Sequence, residues 1–324
     1  MSYIEKFKAN FQKRYFDNYL ENKDYENLFK EIHKMLKKTD LNFLNIINEN
    51  LDTILEDLDT ERFFPKNITW INSFEPNHSK HISRFLEYYF KNETGHNNDF
   101  IYDSYENIIL KNLSQYLNNI NIDLNNLSQN SYLYQLIISF KTPSSKIFLN
   151  NQMAFFENSQ NLKRFSHPCF TNGFIYIVQN PYDLYRNIKS NNSNLTFAQN
   201  YLLNLDNLPE IYSINENNKI EINRKSWNVN LDSWHGEAVI RSFNGIIVKL
   251  EDFENEPIDA YASVLTHLSQ SGINFNLNYD VIKEFVSLNP IINSVANIDI
   301  SNKEMKIIDR ELAKIASNYD YTRY

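Results

Sequence analysis

Glu75, His78 and His81 stand three residues apart, with Ser79 and Lys80 between the two histidines. If this stretch is helical, the spacing puts both imidazoles on one face. Imidazole and carboxylate groups can act as proton donors and acceptors. Ser79 and Lys80 are a hydroxyl and an ammonium that suit an anion. The trio also has the composition of a zinc site, but zinc takes four ligands when structural, or three and an open position when catalytic. No fourth residue can be named, and the start of a helix carries partial positive charge that disfavours a cation. His167 is a further candidate for proton transfer. Cys169 is the single cysteine, so no intramolecular disulfide or thiolate cluster can form, and a small buried hydrophobe is the expected role.

Composition narrows the classes of function. The chain has 324 residues, 42% hydrophobic and 15% aromatic, enough for a substantial core. The net charge of −8 is opposite to the basic stripe of a nucleic-acid binder. Five glycines in the whole chain leave no glycine-rich dinucleotide or Walker loop. No Gly-x-Ser-x-Gly elbow marks a serine hydrolase. The N-terminus lacks a signal-peptide apolar run, and no stretch approaches the roughly 20 apolar residues of a membrane span. A cytoplasmic protein without a membrane span and without nucleic acid is expected.

These residues need a scaffold. Residues 1–62 read as a helical N-terminal extension, with Leu28, Ile32, Met35 and Leu36, then Leu44, Ile47, Leu51, Ile54 and Leu55, at helical spacing. Pro65 marks the boundary with residues 63–324, read as one α/β domain. ITWINSF (68–74) predicts a strand, followed by a polar loop and a helix over SRFLEYYF (83–90). GFIYIVQN (173–180) predicts a buried strand that ends in an Asn-Pro turn before a helix carrying Tyr185 and Ile188. NGIIVKLEDF (244–253) predicts a third strand, and Pro257 opens a helix. The segment 301–318 predicts a last helix, with Ser301 as N-cap and Glu304 at the capping-box position. Strands alternating with helices predict a three-layer, doubly wound, mostly parallel sheet.

Four segments, in order, resemble the sulfotransferase family. TWINSFEPNHSKHISRFLEYYF (69–90) aligns without a gap on the start of its bacterial branch. FIYIVQNPYDLYRNI (174–188) is similar to the strand and helix that follow, KSWNVNLDSW (225–234) to a Ser-Trp stretch, and IIVKLEDFENEP (246–257) to a Tyr-Glu-Asp-Leu segment. The resemblance implies a P-loop-like fold and a 3′-phosphoadenosine 5′-phosphosulfate donor. In the family the first loop wraps the donor's 5′-phosphosulfate, using small residues, a helix N-terminus and a lysine that stabilises the leaving group.

The donor contacts have changed. The family's Pro-Lys-Ser-Gly-Asn-Thr-Trp is replaced by Glu75, Pro76, Asn77, His78, Ser79, Lys80 and His81. Pro76 stands at the lysine and His78 at the glycine. The arginine and serine for the 3′-phosphate become the neutral Gln179 and Asn187, without the bidentate pairing an arginine gives. The histidine that often follows a Lys-Thr pair becomes Pro143, after Lys141 and Thr142, and the C-terminal Arg-Lys-Gly loop is missing. The resulting expectation is a catalytically inactive pseudoenzyme that binds a protein partner and needs no cofactor. The alternative is an active sulfotransferase with a rearranged site. It would move a sulfuryl group to a hydroxyl of an acceptor, with Asn77, Ser79 and Lys80 on the phosphosulfate, His78 or His167 moving the proton, and Gln179, Asn187, Ser226 and Trp227 beside the nucleotide.

Overall fold

The structure is a computed structural model. It describes residues 66–94, 100–104, 145–151, 155–158, 161–164, 170–191, 195–204, 210–215, 218–222, 226–235, 244–291 and 295–321, with positions 135, 138, 139 and 166. The expected helices of 1–62, Lys141–Pro143, His167 and Cys169 lie outside the described residues.

Nine strands and eight helices occur among the described residues. In chain order they are β1 (Ile68–Ser73), α1 (Pro76–Thr94), β2 (Phe100–Ser104), β3 (Lys146–Asn151), β4 (Phe155–Asn158), β5 (Asn161–Arg164), β6 (Thr171–Val178), α2 (Pro181–Asn191), α3 (Leu195–Leu203), β7 (Glu210–Asn215), β8 (Asn218–Ile222), α4 (Trp227–His235), β9 (Gly245–Lys249), α5 (Leu250–Asn255), α6 (Pro257–Gln270), α7 (Tyr279–Leu288) and α8 (Asn302–Ser317). Five strands form one parallel sheet in the order β2-β3-β1-β6-β9, and β4-β5 and β7-β8 are two-stranded ribbons. The fold is α/β, as expected from the alternation of strands and helices.

The chain divides into two compact units, and β1, β3 and β6 each begin in the first and end in the second. In the first unit, Trp70 Nε1 donates to Thr171 Oγ1 at 3.1 Å, and Phe148 stacks on Tyr102 at 5.2 Å. The second unit holds the carboxyl ends of β1 and β6, all of β9 and the eight helices. There β6 pairs with β9 in register from Phe174 opposite Gly245 to Val178 opposite Lys249. A Cβ on Gly245 would lie 2.0 Å from the Phe174 ring, so only glycine fits under that ring. Phe174 also meets Trp234 of α4 at 5.1 Å, and the Tyr176 hydroxyl donates to Asn230 Oδ1 of α4 at 2.8 Å. Helix α4 packs with α3 and α8, and α2 packs with the same two. A second group comprises α1, α6 and α7, joined by Phe85, Tyr261 and Phe285 with ring separations of 4.2–5.5 Å. Two helix groups and one parallel sheet are consistent with three layers.

Two boundaries differ from expectation. The polar stretch after β1 is helix: α1 starts at Pro76, because a proline costs nothing where the N–H has no intrahelical partner. NGIIVKLEDF is a strand only through Lys249, and Leu250–Asn255 turns into α5. The capping box of α8 forms as expected, with Ser301 and Glu304 each bonding the other's backbone N–H.

Candidate functional site

In this strand order, the chain leaves β1 towards β2 on one side and leaves β6 towards β9 on the other. Sheets of this kind bind ligands outside the carboxyl ends of two such strands. Of the candidate residues, Asn77–Lys80, Gln179, Asn187, Ser226 and Trp227 belong to the second unit.

The β1–α1 loop is closed on itself. The Ser73 hydroxyl donates to the Glu75 carbonyl oxygen and accepts the Ser79 N–H at 3.1 Å. The His78 N–H bonds the same Glu75 carbonyl at 3.1 Å. Pro76 has no N–H to offer. Two of the amides that a phosphate loop would turn to its ligand are therefore already used. The Glu75 carboxylate accepts the Tyr201 hydroxyl of α3 at 2.5 Å, beside the partial positive charge at the head of α1.

The side chains of the loop point in different directions. Asn77 and Lys80 are exposed, while Ser79 is buried and donates to the Pro76 carbonyl at 3.1 Å. His78 is half-buried, and burial together with the neighbouring His81 pushes it down to about 4. It is thus a neutral imidazole across the physiological range. His81 turns to α6, where Nε2 meets the Tyr261 hydroxyl at 2.5 Å. Burial, and then Arg84, lowers its pKa. Glu75 and His81 thus bond tyrosines on different helices. Among the described residues there is no group of three or more His, Cys, Asp or Glu side chains able to hold a metal ion.

Gln179 is buried at the end of β6. Asn187 Oδ1 accepts the Ala296 N–H at 2.9 Å, and Lys189 bonds the Asp299 carbonyl at 3.1 Å and Glu304 at 3.0 Å. The segment after α7 is thereby fastened along α2. A cleft of about 490 Å³ lies beside it, lined by Arg186, Val295, Asn297, Asp299, Asn302 and Met305 among others. Arg186 pairs with Asp183 at 2.6 Å. Trp227 is 1% exposed and offers no ring face to a base. Ser226 donates its hydroxyl to Asn228 Oδ1.

Beyond β6, Glu251 holds the turn into α2: Oε1 accepts the Asn180 N–H at 2.8 Å and Oε2 accepts the Tyr321 hydroxyl at 2.8 Å. Burial pushes the Glu251 carboxyl up and outweighs these bonds. Burial, and then Glu251, raises the Tyr321 phenol well above its ordinary value.

The structure brings the loop residues Asn77–Lys80 together by adjacency alone, and it turns Ser79 inward and Lys80 outward. Sequence reasoning missed Tyr201, Arg186 and Tyr321. Arg186 was the most accessible to it, since it precedes Asn187. Tyr201 lies 126 residues from Glu75 with no local pattern to mark it. No helix among the described residues is long and apolar enough to cross a membrane. No family model matches the chain, and no curated protein matches it.

Proposed function

We propose that this chain is a sulfotransferase-like protein that keeps the scaffold but has lost the donor site, and that it works as a non-catalytic binding protein. The observation that carries the reading is the closed β1–α1 loop. Its amides are taken by Ser73 and Glu75, and a carboxylate held by Tyr201 stands where the donor would place its own negative charge. Pro76 supplies no ammonium at the lysine position. Hydrogen bonds to charged groups are worth roughly 1.5–3 kcal/mol each, so losing two or three costs several orders of magnitude in affinity. The residues that match the family act as scaffold. Trp70 bonds Thr171, Asn180 and Glu251 fix the turn after β6, and Pro181 and Pro257 open α2 and α6.

The test is calorimetry of the full chain with 3′-phosphoadenosine 5′-phosphate, the donor product, at low ionic strength. No heat and no thermal stabilisation at millimolar nucleotide is the expected result. Micromolar binding would overturn the reading. The alternative, an active sulfotransferase acting on a hydroxyl-bearing acceptor, would then lead. It draws on one observation, the Arg186-lined cleft beside α2, which could receive an anion that Asn187 does not.

A further inference from the structure

Two of the chain's glycines follow an asparagine, at Asn172–Gly173 and Asn244–Gly245. Such a pair has a chemistry of its own. Glycine has no Cβ to shield its amide nitrogen, so that nitrogen can reach the carboxamide carbon of the preceding asparagine. The fold treats the two pairs differently.

The entry to β9 dictates Asn244–Gly245. Asn244 is exposed and adopts φ 50, a left-handed conformation that asparagine visits more readily than most residues with a Cβ. Gly245 opens β9 opposite Phe174, whose ring leaves no room for a Cβ. A left-handed residue must therefore be followed by one without a side chain, and Asn-Gly meets both demands. Asn244 Nδ2 donates to Ser271 Oγ at 2.5 Å, and the Ser271 hydroxyl donates in turn to the His267 carbonyl at 2.9 Å. Strand β9 is at the edge of the sheet, and the ends of edge elements open locally at low cost. Asn172 instead lies within β6, which has a neighbouring strand on each side. Extended backbone carries the next amide nitrogen away from the carboxamide, and bringing it back means opening a central strand.

We propose that Asn244 is a site of intramolecular deamidation, and that its products weaken the entry to β9. The Gly245 nitrogen gives its proton to solvent and attacks Asn244 Cγ. The N–Cγ bond forms, the Cγ–Nδ2 bond breaks, and Nδ2 takes a proton from solvent and leaves as ammonia. Water then opens the cyclic imide at either carbonyl, giving aspartate or isoaspartate. Aspartate places a carboxylate oxygen where Nδ2 donated, facing a Ser271 oxygen whose proton is committed to His267. Isoaspartate routes the main chain through Cβ and lengthens it just before the register with β6 begins. The site does not depend on the sulfotransferase reading, because it needs only the turn and β9.

Peptide mapping by mass spectrometry tests it, on the full chain incubated at mildly alkaline pH with and without denaturant. In denaturant both pairs are expected to deamidate at similar rates. In the folded protein Asn244 is expected to react at least about tenfold faster than Asn172. Equal rates in the folded protein, or no reaction at Asn244 over a period that converts both pairs in denaturant, would overturn the site. The fraction modified at Asn244 carries an added negative charge and separates by anion exchange. It is expected to melt at a lower temperature than the unmodified fraction. Asn244→Gly keeps the left-handed turn without the carboxamide and is expected to hold its melting temperature through the same incubation. An equal melting temperature in the two wild-type fractions, or an equal loss in Asn244→Gly, would overturn the effect on β9.

Discussion

At the head of α1, where partial positive charge favours an anion, the Glu75 carboxylate accepts the Tyr201 hydroxyl at 2.5 Å. The bulk at position 78 is plain in the sequence, but Tyr201, which bonds the Glu75 carboxylate from 126 residues away, is invisible to local reading. His78 yields a residue-level prediction. Burial and His81 hold its pKa at about 4, below the unfolded value of about 6.5. The unfolded chain therefore takes up a proton first as pH falls. The stability that comes from keeping this imidazole neutral is full above 6.5 and is lost as pH falls towards 4. Thermal denaturation across that window should show wild type losing more melting temperature than His78→Gln. NMR titration of the imidazole should give a midpoint near 4.

At the scale of elements, the cues that were legible are local ones. The apolar run of β6, the prolines at the first turns of α2 and α6, and the Ser301–Glu304 capping box each act within a few residues, so sequence suffices to find them. The start of α1 and the end of β9 were less legible, because a polar helical turn and a polar loop share a composition. Three substitutions probe the elements. In α8, burial pushes Glu304 up, but the bonds from Ser301, Lys189 and Tyr185 outweigh it and hold the carboxyl down to about 2. Glu304→Gln should cost about 2 kcal/mol by denaturant unfolding at neutral pH. Because the folded pKa lies below the unfolded one, that difference should persist above pH 4.5 and vanish only as pH falls towards 2. At the end of α8, Asp320 adopts φ 57, with its N–H on Ser317 and the Tyr321 N–H on Ala316. This is the bonding pattern of a Schellman cap, where glycine is favoured. Asp320→Gly should raise stability by up to about 1 kcal/mol, read as a higher melting temperature. Gly245→Ala should lower it by about 1–3 kcal/mol, because the Phe174 ring has nowhere to go.

At the scale of the molecule, the alternation of strands and helices gives the parallel α/β class, and the strand order puts the β1–α1 loop and the end of β6 at a point where such sheets bind ligands. Sequence could not reveal the contacts made there, since they join α3 to the β1–α1 loop, the chain after α7 to α2, and Tyr321 to β6 and α5 across long separations. On the proposed reading, installing the residues that the resemblance expects should therefore fail. Pro76→Lys combined with Gln179→Arg should still show no heat with 3′-phosphoadenosine 5′-phosphate in calorimetry, because the Glu75 carboxylate stays in place. Adding Glu75→Ser is expected to be the step after which binding can be measured.

The Tyr321 hydroxyl also reaches the Val178 carbonyl at 3.4 Å, 143 residues away in the chain, and its bond to Glu251 spans 70. This contact has a consequence in time. During synthesis β6 and Glu251 emerge long before Tyr321 does. The turn after β6 can form early, but its buried acid must wait for the last helix to dock before gaining its second partner. Closing so long a loop carries an entropic cost and slows folding. The turn after β6 thus gains its last contacts only once the chain through Tyr321 has been made.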